Sequence, residues 1–393
     1  MLNSGYSPRH SSHSDGLPLP GQQLGGGKRL RLAVLVAAGA ALLAIVIVYA
    51  TTTGPAAVVA TCRPGTTGAG CTASPSKQAA AARYLTGAVS VSVLHQSSHS
   101  RFHGPSAVAV GSDHVWVTNV LGKSVTTFSA EASGGHAKNL ANGSYAFNGP
   151  NALAVGNGRV WVANVPANSV TELNESTGAP VAVLSAGYAF SSPYALVLAG
   201  SRLWVANAAT DSLTEVSTAS RARIGTFGGR KYHFDNPYAL ALGGNHLWVA
   251  NSGGDSVTEV NATTGAPLAT LTTGYQFNNP VALAVSDGYL WVVNEAGDSV
   301  SQLSAAGSLV RVLSGQAYGL DNPNAITASG GAIWVTNGLS DSVSEISAQT
   351  GKLIRVLSGR QYHFRDPTGI AADGPTLWVT NMSGDSVTRL HLR

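Results

Sequence analysis

Glu295 directly follows a Trp-Val-Val-Asn run, and among the seven copies of that phrase it is the only acid at this point. A carboxylate placed alone in this way can serve as a general base, a metal ligand or the partner of a cation. Two short stretches, GRKYHFDNP and GRQYHFRDP, carry Arg230, His233, Arg360, His363 and Arg365 where their counterparts lack Arg and His. Clustered guanidinium groups can grip a carboxylate or phosphate in bidentate fashion. Asn151, Tyr194, Tyr238 and Asn324 each come straight after a proline, in a series completed by Ser106, Val281 and Thr368. Mixed hydroxyl, amide and aromatic groups suit a neutral polar ligand or a peptide loop. Cys62 and Cys71 are the only cysteines. Two thiols this close tend to form a disulfide in an oxidising compartment, and without a nearby set of His or Asp they do not make a zinc site.

Known catalytic patterns do not assemble from these residues. No Ser-His-Asp set follows from spacing, and neither a phosphate-binding Walker loop nor an HExxH zinc motif occurs. A calcium or zinc site at an axis needs carboxylates or imidazoles there, and the post-proline series has none. His233 and His363 lie three repeats apart. The expectation is a binding module that uses no cofactor and no metal. The charge balance bears on the partner: residues 87–393 hold 16 Lys and Arg against 18 Asp and Glu, a formal −2, so the pI near 9.1 comes from the remainder of the chain. This is not a basic nucleic-acid surface.

The elements that must position these groups come from a repeat. All seven tryptophans, Trp116, Trp161, Trp204, Trp248, Trp291, Trp334 and Trp378, open a WVxN phrase, and successive copies lie 43 to 45 residues apart. A fixed period in this range marks a propeller or solenoid. Within one unit, NPYALALGG, NHLWVANSGG, DSVTEVNATTG and APLATLTTG are β-rich pieces bounded by Gly, Asn, Asp or Pro. They read as four short antiparallel strands, one blade. Two residues after each loop proline stands Ala107, Ala152, Ala195, Ala239, Ala282, Ala325 or Gly369, small enough for the crowded axis, while the indole one strand later fills the widening gap between blades. The last unit stops after its third strand, so residues 88–94, AVSVSVL, are expected to supply its fourth and close the ring.

Two further recurrences are read as structural. The WVxN asparagines, from Asn119 to Asn381, are each followed five residues on by a serine and are expected to bond nearby backbone across the turn between second and third strands. The Tyr-x-Phe-x-x-Pro loops at Tyr145, Tyr188, Tyr232, Tyr275 and Tyr362 are expected to pack. His114 and His246 precede their tryptophans by two and read as strand-edge residues.

The fold class is therefore all-β, a seven-bladed propeller of four-stranded blades over residues 87–393, preceded by one transmembrane helix. Residues 1–27, rich in Ser, Gly, Pro and His, read as a disordered cytoplasmic tail. Residues 28–50 form a basic flank, Lys28, Arg29 and Arg31, and an apolar run of 19 residues at 32–50. That run spans a bilayer core of about 30 Å as a helix. The basic side stays in the cytoplasm, which puts the repeats outside. A cleaved signal peptide is the rival reading. Residues 51–86 form a Thr, Ala, Gly and Pro rich linker, with a short helical turn at 78–85.

WVTN and WVAN followed by SGGDSVTEVNATTGAPLATL resemble the YVTN-repeat propellers and, more distantly, the NHL-repeat propellers. The resemblance covers residues 87–393 and implies the propeller fold, with Trp here where the family has Tyr. The virginiamycin B lyase propellers are a related-looking group, and that resemblance implies a metal-assisted lyase using Glu295 with His233 or His363 as the alternative. The leading expectation is a membrane-anchored extracytoplasmic module that binds a protein or small molecule at the propeller mouth.

Overall fold

The computed structural model describes residues 89–95, 101–131 and 137–392. The expected cytoplasmic tail at 1–27, the apolar run at 32–50, the expected linker and both cysteines lie outside them. No helix among the described residues is long and apolar enough to cross a membrane.

Seven four-stranded antiparallel sheets follow one another around a ring. Blade 1 runs inner to outer through Pro105–Val110, His114–Asn119, Ser124–Ser129 and Lys138–Leu140. The inner strands of blades 2 to 7 begin at Pro150, Pro193, Pro237, Pro280, Pro323 and Pro367. Each loop proline thus opens an inner strand, where its fixed φ and missing N–H are tolerated at the first residue. It pairs with the asparagine of WVxN, as Pro237 does with Asn251, and the residue after it bulges out of register.

Blade 7 closes the ring. Its strands Pro367–Asp373, Thr376–Asn381 and Ser386–Leu392 are completed by Val89–His95, paired from Val89 against Leu392 to His95 against Ser386. The expected closure is present, and it runs to His95, one residue past the expected end. Its side chains explain the register: Leu94 is buried between blades 7 and 1, while Val89 and Val91 pack towards blade 6. The inner strand of blade 1 also touches that of blade 7, and from blade 7's second strand Thr380 Oγ1 donates to the Ser106 carbonyl at 2.9 Å.

Residue size sets the taper. Ala107, Ala152, Ala195, Ala239, Ala282 and Ala325 are buried at the axis, and all seven tryptophans are buried between blades. Opposite each indole, across the strand pair, the third strand places Thr127, Glu172, Glu215, Glu259, Gln302, Glu345 or Arg389. Arg159 and Arg221 pair with Glu172, Arg202 with Glu215, His246 with Glu259 and Arg355 with Glu345. Burial nonetheless pushes the Glu345 carboxyl up, partly offset by Arg355. The strand-edge reading of His246 gains an ion pair that the spacing from its tryptophan does not reveal.

Candidate functional site

The loops from outer strand to next inner strand and the turns from second to third strand share one end of the ring, and the repeat asparagines tie them together there. Each asparagine is buried and donates from Nδ2 to two hydroxyls, five and seven residues on. Asn251 reaches Ser256 Oγ at 3.1 Å and Thr258 Oγ1 at 3.0 Å, and Thr258 passes its own proton to the Tyr232 carbonyl at 3.0 Å. Equivalent relays run from Asn164 through Thr171 to Tyr145 and from Asn381 through Thr388 to Tyr362. The asparagines therefore bond chiefly to side-chain hydroxyls and not, as expected, to backbone. A hydroxyl can accept from the amide and still donate to the loop, which a backbone group cannot do. The Tyr-x-Phe loops held this way do pack, with ring pairs such as Tyr232 and Phe234 stacked at 5.1 Å.

A second tie escapes the sequence reading. The fourth residue after each repeat asparagine sits at φ 44 to 49°. At six positions it is Asp or Asn, types that tolerate this conformation. Each of these six takes the backbone N–H just before the next blade's proline, as Asp255 takes that of Asn279 at 2.7 Å and Asp385 that of Gly104 at 2.8 Å. The seventh position holds Lys123, which has no carboxylate to offer. The signal was visible as an Asp directly before five of the seven repeat serines, and only the pairing across blades gives it meaning.

The post-proline side chains do not ring an open entrance. Ser106, Asn151, Val281, Asn324 and Thr368 are buried, because the bulge after each proline turns them into the axis, where they fill it. Asn324 accepts from Thr336 Oγ1 at 2.6 Å, while neither amide atom of Asn151 has a hydrogen-bond partner among the described residues. Tyr194 and Tyr238 alone in this series remain partly exposed, stacked with centroids 4.8 Å apart. Burial raises both phenols, Tyr238 well above the usual range, with the charges of Tyr194 and Glu295 adding to it.

Glu295 stands beside them in the blade 5 turn. Asn279 Nδ2 donates to one oxygen at 2.6 Å and Asn322 Nδ2, from the next blade, to the other at 3.0 Å. Desolvation pushes its pKa up, and the two amides partly offset this. Gly338 makes room for the arrangement, since a Cβ there would lie 2.9 Å from Asn324 Nδ2 and 3.1 Å from Asn322 Oδ1.

The Arg and His residues lie elsewhere. Arg230, His233, Arg360, His363 and Arg365 are exposed on the rim, with His233 and His363 at φ 51° and 55° at the ends of their loop turns. His233 and Arg230 border an open cleft of ≈ 550 Å³ with Thr210 and Asp211, and His363 meets the ring of His95 at 5.5 Å. The structure therefore brings together Tyr194, Tyr238 and Glu295, and leaves the two Arg-His loops apart. Among the described residues, no three His, Cys, Asp or Glu side chains gather as metal ligands would.

No protein-family model matches the chain, and neither does any curated protein. Solved structures do match. The virginiamycin B lyase of Staphylococcus aureus superposes with a TM-score of 0.66 at 17% identity, over 78% of this chain and 100% of its own. A streptogramin B lyase gives 0.64 at 18% identity, over 78% of this chain and 98% of its own. The hydrazine synthase of Kuenenia stuttgartiensis gives 0.63 at 14%, over 75% of this chain and 97% of its own. The chain is a seven-bladed β-propeller of four-stranded blades.

Proposed function

We propose that the chain is a membrane-anchored, extracytoplasmic binding module whose ligand or protein partner docks at the axial mouth beside Tyr194, Tyr238 and Glu295. One observation carries the reading. Positions that repeat in every blade are consumed by packing and by the loop ties, whereas Tyr194, Tyr238 and Glu295 break the repeat, keep partial access and come from three consecutive blades, while the exposed Arg and His residues stay apart on the rim. A fold of this kind hosts many activities, so the site must carry the argument. The anchor rests on the apolar run at 32–50 behind Lys28, Arg29 and Arg31.

Ligand screening against the full-length protein tests the site: affinity should fall on Tyr194→Ala and on Tyr238→Ala, and a ligand indifferent to both would move the site away from the mouth. The lyase alternative is supported by Glu295 at the mouth and by the fold shared with two lyases. Turnover of quinupristin, the compound found with an inactive virginiamycin B lyase of Staphylococcus aureus in a solved structure, lost in Glu295→Gln, would replace the binding-module reading with an enzymatic one. For the anchor, protease added to intact cells should release the repeats and leave the tail protected. A mature chain beginning within residues 50–60 would favour the cleaved signal instead.

A further inference from the structure

Glu295 differs from the buried and half-buried carboxylates of the third strands. Glu172, Glu215, Glu259 and Glu345 each have an Arg or His partner, and Glu295 has no ion pair among the described residues. Its two oxygens receive amide N–H groups, which orient the carboxylate but leave its charge uncancelled. Each oxygen can accept more than one hydrogen bond, so the group can still accept from a ligand. Next to it lies the Tyr194 and Tyr238 pair, whose ring faces carry the negative quadrupole that attracts cations. Tyr238 also packs against the cluster that holds Val281 and Val293 of blade 5, and the strand of Val293 ends at Asn294, directly before Glu295.

Other turns at the same end of the ring carry apolar side chains. In the equivalent turns of blades 6 and 1, Leu339 and Leu121 are 75% and 56% exposed, with the partly exposed Met382 in the blade 7 turn between them. Exposed large apolar groups at the end of the ring that also carries a polar site offer a surface for an apolar partner group. We propose, building on the mouth as binding site, that it takes a protonated amine carrying an apolar body. The ammonium sits between the Glu295 carboxylate and the Tyr238 ring, and the apolar part lies along Leu339, Met382 and Leu121. Asn279 and Asn322 act as positioning residues that hold the carboxylate towards the axis.

The test is a calorimetric titration of the full-length protein with 2-phenylethylammonium, and with 2-phenylethanol and 3-phenylpropionate as neutral and anionic counterparts. The amine should bind about tenfold or more tightly than either counterpart, and Glu295→Gln should cost it about tenfold. Glu295→Asp should retain part of the affinity, and Tyr238→Leu should lower it about fivefold through loss of the cation–π contact. Melting temperature is followed for every variant, so that loss of binding is separated from loss of fold. Equal binding of all three probes, each weakened by Tyr238→Leu, would overturn the cation assignment while leaving the mouth a binding site. Amine binding unmoved by Glu295→Gln and Tyr238→Leu would overturn both, and no amine binding at millimolar concentration would overturn the amine proposal.

Discussion

Two residue types at the mouth end of the ring do opposite things to stability. Each buried WVxN asparagine connects a strand turn to a loop through a hydroxyl that both accepts and donates. Replacing Asn251 by Ala removes two donors and leaves a void, so urea denaturation should show a loss of about 2 kcal/mol with little effect on ligand affinity. Glu295 is held partly desolvated without a cation, and its pKa is raised. A raised carboxylate pKa means that the folded state favours the protonated form, so this group costs stability at neutral pH and the cost fades as pH falls through its folded pKa. Glu295→Gln should therefore raise the melting temperature at pH 7, by the equivalent of about 1 kcal/mol or less given its partial exposure. The difference should vanish in acid. An equal gain at all pH values would show that the carboxylate's charge is not the cause.

At the scale of elements, the closing strand and the inter-blade ties decide how the blades stay together. Val89–His95 buries Leu94 fully and Val89 and Val91 in part. Those side chains alone represent about 3 kcal/mol or more of burial, and deleting the strand also opens a sheet edge. Removal of residues 89–95 should lower the melting temperature sharply and promote self-association in size-exclusion chromatography; an unchanged melting point would contradict the closure. The junction from blade 1 to blade 2 lacks the side-chain oxygen tie that the six others have, five through Asp and one through Asn168, because Lys123 occupies that position at φ 47°. Lys123→Asp should add about 0.5 to 1 kcal/mol by relieving an unfavourable left-handed lysine and offering an acceptor to the Gly149 N–H. Thermal denaturation of the variant checks it, and a lower melting temperature would show that Lys123 has a role of its own.

Across the whole molecule, seven similar blades produce a ring with one irregular face. The irregularity has a direction: Tyr194, Tyr238 and Glu295 come from blades 3, 4 and 5, while Leu339, Met382 and Leu121 come from blades 6, 7 and 1. A ligand with a polar and an apolar end would bind such a mouth in one orientation. Affinity should therefore fall on Leu339→Glu as well as on Tyr238→Ala. If Leu339→Glu leaves the affinity of an amphipathic ligand unchanged, the apolar arc takes no part in binding.

The repeat, the four strands of each blade and the ring closure were legible in the sequence because they rest on short-range rules: alternation within a strand, proline and glycine at turns, and a small residue wherever seven strands meet. The last unit's missing strand could be matched to AVSVSVL for the same reason, since an alternating apolar segment needs a sheet to join. What the sequence could not decide is which side chains converge. Asn151 and Tyr194 hold the same place after a proline, yet one is packed into the axis and the other reaches the mouth. His233 and Glu295 both break the repeat, yet one ends exposed on the rim and the other half-buried between two amides from neighbouring blades. Those outcomes depend on side-chain size across an axis shared by residues far apart in the chain, and on contacts between blades that spacing along one blade does not encode.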